Sequence, residues 1–329
     1  MFSRRVPLGF ALSACAILAA PASAAFTPAA GYQAAELYSS AGTFTTLGGL
    51  STYAGSLYFG QFTEIKALDF STGVAHLVGT VPSNAGNALV QVNPADGSVY
   101  TAFGTSYNAP YIHKMGPLVD GAFVEQLAMG GIYDAAVNNT GDLFLVANPD
   151  VDGDTVPDGS GIFQYDWSDG STAAIAHIGG STGGLAFDAD GNLYCSAYDE
   201  GKVYRFAASS VAAGGLTLGD ADGSLDLASP GFLAFDDAGN LFATNLDATW
   251  TTHIGLYDFA NNAKLADIAV GGGKLVYSDG TLYTIDTDWT TYSSTLQAVR
   301  PIPEPATFPA ICIAAAAVGL LRRRRPNGA

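Results

Sequence analysis

Gly184-Leu-Ala-Phe187, Asp188-Ala-Asp-Gly191 and Asn192-Leu-Tyr-Cys-Ser196 follow one another without a break. Together they predict a short strand, a tight turn closed by glycine, and a second strand that opens on an aliphatic-aromatic pair. Glycine suits the turn because the hairpin needs a positive φ there. In the second strand Leu193 and Tyr194 point to opposite faces of the sheet, so each can pack against a different neighbour.

The signature of that turn recurs along the chain as Gly55-Ser-Leu-Tyr58, Gly97-Ser-Val-Tyr100, Gly141-Asp-Leu-Phe144, Gly191-Asn-Leu-Tyr194, Gly239-Asn-Leu-Phe242 and Gly280-Thr-Leu-Tyr283. The glycines stand 42, 44, 50, 48 and 41 residues apart, the length of a four-stranded propeller blade. Third strands are expected at residues 65–69, 111–114, 162–166, 202–206, 256–259 and 296–299. Fourth strands are expected at 76–81, 124–128, 174–178, 216–218 and 265–270. The sixth repeat ends at Arg300 with no fourth strand of its own, and residues 35–39, stranded before the first repeat, can fill that gap. A strand borrowed from the other terminus closes the ring and removes an edge open to aggregation. The expected fold is all-β: a six-bladed β-propeller of four-stranded blades over residues 25–301, closed by an N-terminal strand. A two-sheet sandwich is the competing architecture, and six equal repeats fit it awkwardly.

The copies from Gly184 to Phe206 and from Phe232 to Phe259 resemble the NHL and SMP-30/gluconolactonase group of propellers, whose repeats read roughly G-L-A-F-D-x-D-G-N-L-Y before a strand ending like Val203-Tyr-Arg-Phe206. Two blades match that pattern closely and four loosely. The fold therefore has wider support in the sequence than any one family.

Both ends read as sorting devices. Arg4 and Arg5 precede an apolar run over residues 6–20 and a small-residue site, Ala22-Ser23-Ala24, the order of a signal peptide cleaved after Ala24 and exported by the Sec machinery. An N-terminal anchor would need roughly 20 apolar residues; this run is shorter and broken by Pro7 and Pro21. At the other end come Pro303-Glu304-Pro305, an apolar stretch at 306–321, and Arg322, Arg323, Arg324 and Arg325. The stretch is short for a transmembrane helix, and snorkelling arginines can lengthen it. The arginines place that end on the cytoplasmic side and the body outside. An ordinary tail anchor has the same outline. The three parts in this order, over residues 302–329, resemble the PEP-CTERM sorting signal of Gram-negative bacteria. That resemblance implies an exosortase as partner, cleavage near the Pro-Glu-Pro, and a cell-surface or secreted destination tied to exopolysaccharide or biofilm.

Charge narrows the partners. Six of the 13 basic residues lie in the two ends, against one of the 30 acidic residues, Glu304, so the body keeps seven basic and 29 acidic groups and a net charge near −22. Such a surface repels nucleic acid and anionic membrane and favours cations. Cys15 and Cys312 belong to the ends, which leaves Cys195 alone and no disulfide within the body. It reads as a buried strand cysteine.

One loop carries a metal pattern. Asp150-Val-Asp152-Gly-Asp154-Thr-Val-Pro-Asp158 sets carboxylates at positions one, three, five and nine, a spacing that can converge on one hard cation such as calcium. It resembles a thrombospondin type 3 calcium repeat. It departs from an EF-hand, with Thr155 at the glycine position and Gly161 where the bidentate glutamate would stand, so the expected site is weak unless water or another loop completes it. The bland alternative is a solvated acidic hairpin tip. A second acidic string, Asp220-Ala-Asp222-Gly-Ser-Leu-Asp226, reads as a turn.

Catalytic signatures are scarce. No zinc-spaced histidine pair, no G-x-S-x-G elbow and no phosphate-binding P-loop occurs, and Gly271-Gly272-Gly273 precedes a strand, as a blade connection would. The gluconolactonase resemblance implies a divalent metal held by Glu, Asn and Asp at the starts of inner strands. Here the two best-matching inner strands follow Thr182-Gly183 and Ser229-Pro230; Asn87 and Asp134 are the rival candidates, and no matching glutamate presents itself. The first expectation is accordingly a non-catalytic binding or structural protein whose partner is an extracellular polysaccharide. The second is a metal-dependent hydrolase on the same fold.

Overall fold

The structure, a computed structural model, describes residues 26–40, 46–81, 89–102, 111–116, 124–127, 131–148 and 159–303. The signal peptide, the tail from Glu304 onward, Asn87 and the loop holding Asp150, Asp152, Asp154 and Asp158 lie outside them. Six sheets follow one another along the chain. Their innermost strands are Leu47–Tyr53, Leu89–Val92, Ile132–Val137, Thr182–Phe187, Pro230–Phe235 and Leu275–Ser278. Each of these packs against the next and the sixth packs against the first, so the sheets are the blades of a closed ring. Among the described residues the helices are one six-residue α-helix, Ala208–Ala213, and a 3-10 turn at Leu218–Asp220, and no helix is long and apolar enough to cross a membrane.

The turn reading holds in every repeat: Gly55, Gly97, Gly141, Gly191, Gly239 and Gly280 all take positive φ. In the two clearest copies an aspartate organises the turn. Asp188 accepts hydrogen bonds from the backbone and side-chain amides of Asn192 (both 2.9 Å), and Asp236 does the same for Asn240 (both 2.8 Å).

The aliphatic-aromatic pair that follows each turn builds the core between blades. The aromatic of one blade shares a buried cluster with the aliphatic of the next: Tyr58 with Val99, Tyr100 with Leu143, Phe144 with Leu193, Tyr194 with Leu241, Phe242 with Leu282, and Tyr283 with Leu57 across the closure. Adjacent residues in a strand face opposite sides, so one dipeptide fastens its blade to both neighbours.

The ring closes as the repeat count required. Tyr32–Ser39 lies antiparallel to Ser293–Pro301 as the outer strand of blade 6, in register from Tyr32 opposite Pro301 to Ser39 opposite Thr295. It begins three residues before the expected start. Just upstream, Thr27 and Pro28 add a fifth strand to blade 5 against Val270 and Ala269, so the N-terminal segment ties together the last two blades.

One expected strand is misplaced. Leu216–Thr217 does not complete blade 4; it pairs in parallel with Thr172–His177 as a fifth strand of blade 3. The chain leaves blade 4 through Ala208–Ala213, and Val211, Leu216 and Leu218 pack on the core beneath the edge of blade 3. The outer strand of blade 4 is Gly223–Asp226, inside the acidic string read as a turn. Leu225 supplies the single inward apolar position and is buried. Its acidic neighbours are matched from the adjoining strand, Asp222 by Arg205 at 2.8 Å and Asp226 by Lys202 at 3.3 Å.

Candidate functional site

In a closed propeller the inner strands line a central channel, and the end where they begin is built from their first residues. Four of the six inner strands are irregular there, with register shifts at Gly48/Leu50, Ile132/Asp134, Thr182/Leu185 and Pro230/Leu233. A bulge of this kind re-aims a side chain next to a site. Glycines let the strand starts touch. A Cβ on Gly49, at φ +60°, would lie 2.1 Å from the backbone nitrogen of Val90, and one on Gly184 would lie 2.6 Å from the Cα of Phe232. Beyond these contacts, toward the strand ends, is a cavity of about 250 Å³ walled by all six blades, with Leu50, Gln91, Ala136, Leu185, Leu233 and Lys274 each contributing from one of them.

Across this channel runs a buried ion pair. Asp134, 2% exposed on the bulged start of blade 3, meets the ammonium group of Lys274 from blade 6, the blade directly opposite in the ring. The other carboxylate oxygen of Asp134 accepts the backbone N–H of Leu185 in blade 4 at 3.0 Å. Lys274 also stands over the ring of Phe232 in blade 5, 5.2 Å from its centroid, a favourable place for a cation. The lysine is held in turn by the glycines before it: Gly272 N–H donates to Asp286 at 2.9 Å, and Gly273 N–H donates to the Thr284 hydroxyl at 3.1 Å. Burial raises the pKa of the Asp286 carboxyl, against the lowering effect of the Gly272 and Phe26 amides. Blades 3, 4, 5 and 6 thus meet at one charge pair.

Polar side chains stitch further blade boundaries. Gln91 Nε2 donates to Ala135 O at 2.7 Å, Ser196 Oγ donates to Gly231 O at 2.5 Å, and the Ser51 hydroxyl accepts Val92 N–H at 3.1 Å. These groups are committed to holding the ring.

The arrangement does not suit a divalent metal at the channel. Both oxygens of Asp134 are engaged, and an ammonium group occupies the space beside it. A second cation there would meet direct charge repulsion in a medium that screens poorly. Among the described residues no three of His, Cys, Asp and Glu stand close enough to share a metal. His253 pairs with Asp247 at 2.9 Å on an exposed turn of blade 5, and His113 is buried in blade 2. Cys195 is fully buried, and burial pushes its thiol up to about 12, so it is protonated and unreactive at neutral pH. Asp134 is therefore where the sequence placed it, at the start of an inner strand, and its role is the strand-end partner of Leu185 and Lys274. Lys274 escaped the sequence reading because the glycine run before it looked like a plain connection. Its signal was a lone lysine between three glycines and the apolar start of blade 6.

Fold and channel define a closed six-bladed β-propeller with a charge-bridged centre. Solved structures of the same architecture include a putative gluconolactonase (15% identity, 83% of this chain and 93% of the other, TM-score 0.58), a luciferin-regenerating enzyme (12%, 83% and 96%, 0.59), and a catalytically inactive virginiamycin B lyase from Staphylococcus aureus with quinupristin (13%, 82% and 100%, 0.56). At these identities the likeness concerns the fold. No family model matches the sequence, and no curated protein matches it.

Proposed function

We propose that this chain is an exported, non-catalytic binding propeller of the cell surface or extracellular matrix. In this reading the Sec machinery exports it and an exosortase processes it at Pro303-Glu304-Pro305, with the 306–321 helix and Arg322 to Arg325 holding it in the membrane until then. Its partner is an extracellular polysaccharide, and Asp150, Asp152, Asp154 and Asp158 bind calcium. The observation that carries the non-catalytic part is the Lys274–Asp134 pair, which fills with a side-chain ammonium the place where a channel metal would act. Function on such scaffolds resides in the loops, and the acidic composition supports a partner that is not a polyanion.

A lactone hydrolysis assay on the full chain with calcium, zinc or manganese tests this reading. The expected outcome is no turnover above the metal-only background. Turnover that requires the added metal and disappears with a chelator would establish the metal-dependent hydrolase instead.

A further inference from the structure

Around the same turn of neighbouring blades two seven-residue stretches share an aspartate, a tryptophan and the Thr-Thr after it, Asp247-Ala-Thr-Trp250-Thr-Thr-His253 in blade 5 and Asp286-Thr-Asp-Trp289-Thr-Thr-Tyr292 in blade 6. Both connect the second strand of a blade to the third, Leu241–Leu246 to Thr252–Asp258 and Thr281–Asp288 to Ser293–Pro301. Both therefore lie at the end of the ring where the inner strands begin. Trp250 is 72% exposed and Trp289 is 66% exposed, although the chain has only three tryptophans. The equivalent turn of blade 1, next in the ring, presents Phe62 at 61% exposure. An arc of three blades thus shows solvent its largest flat side chains on one face.

The turns fix the backbone that carries these rings. Trp250, Tyr292 and Phe62 take φ of +62°, +53° and +57°, a conformation that bulky residues rarely adopt. Asp247 accepts Thr249 N–H and its hydroxyl (2.7 and 2.6 Å) and Thr251 N–H (3.0 Å). Asp288 accepts Thr290 N–H (2.8 Å) and the Thr291 hydroxyl (2.9 Å), and Tyr292 meets Trp289 edge-on at 6.5 Å. Turns ordered in this way lose little backbone freedom on binding.

We infer that this face binds a neutral polysaccharide, with Trp250 and Trp289 as stacking platforms for two sugar rings; the inference names the site and ligand class of the binding protein proposed above and rests on that reading. Exposed tryptophans are the usual anchors of a binding surface, and their ring faces match the C–H faces of pyranose rings. The same turns carry threonine hydroxyls and aspartate carboxylates that can also accept from sugar hydroxyls, so the rings are set among polar groups and not in a continuous apolar patch. A body charge near −22 turns away anionic glycans and anionic lipid alike.

Affinity electrophoresis of the detergent-solubilised full chain through gels containing hydroxyethylcellulose, glucomannan or arabinoxylan tests the inference. At least one polymer is expected to retard the wild type. Trp250→Asn with Trp289→Ala is expected to weaken retardation by about tenfold or more, with the melting temperature unchanged and Leu77→Ala, on the outer edge of blade 1, behaving as wild type. Asparagine is chosen because it tolerates positive φ. Equal retardation of the double variant overturns the site and leaves the binding reading standing. Retardation by alginate with calcium but by no neutral polymer overturns the ligand class and again leaves that reading. A dimer that dissociates in the double variant, with no retardation, reassigns the face to self-association and overturns the inference. No retardation together with lactone turnover overturns both.

Discussion

Replacing Lys274 by alanine is expected to destabilise the propeller by about 3–5 kcal/mol, a fall in melting temperature on the order of 10 °C. The reason is what remains. Asp134 keeps the Leu185 N–H but loses its counter-charge while still enclosed by four blades, and an uncompensated buried carboxylate is costly. Charge, not packing, sets the effect, so Lys274→Met, which restores most of the apolar stem, is expected to fall nearly as far. Adding Asp134→Asn to Lys274→Met removes the stranded charge and keeps an acceptor for Leu185. That pair is expected to recover most of the loss, since a buried ion pair exchanged as a unit for neutral groups is often close to neutral in stability. Thermal unfolding of the three variants separates the two contributions. Equal destabilisation by the single and double variants would mean that packing dominates.

Deleting residues 26–40 is expected to abolish the monomeric fold. The loss includes the whole outer strand of blade 6, with seven paired positions against Ser293–Pro301. Tyr32, Ala34, Leu37 and Tyr38 also leave two inter-blade clusters. At roughly 1.5–3 kcal/mol for each fully buried large side chain, and less for partly buried ones, the deficit reaches the order of the total stability of a domain, about 5–15 kcal/mol. The exposed edge of Ser293–Pro301 then offers a template for pairing with other chains. Size-exclusion chromatography should show aggregates or strand-swapped oligomers. A monomer melting within a few degrees of wild type would show that the closing strand is dispensable.

Much of this was legible in the sequence because it is local and repeated. Each of the six turns needs positive φ, which selects glycine, and each following dipeptide needs an aliphatic and an aromatic on opposite faces. Counting the copies gave the blades, and the missing sixth outer strand pointed to the N-terminus. What was not legible depends on distant neighbours. Leu216 and Leu225 both look like the inward residue of a short outer strand. Only the excursion through Ala208–Ala213, which carries Leu216 onto blade 3, separates them. The acidic string at 220–226 resembles a turn until Lys202 and Arg205 are set beside it. The Asp134–Lys274 pair joins residues 140 positions apart, with no spacing rule to connect them, and the bulges that aim Asp134 have no composition of their own. The exposed Trp250 and Trp289 are visible as a duplicated motif only once both are known to occupy the same turn of adjacent blades.

A side-chain ammonium, not a metal, stands opposite Asp134. Crystals soaked in manganese chloride and measured at a wavelength where manganese scatters anomalously test it most directly. The predicted result is no anomalous peak in the channel, with the Lys274 ammonium in contact with the Asp134 carboxylate. A manganese peak at coordinating distance from Asp134, with Lys274 swung away, would contradict it.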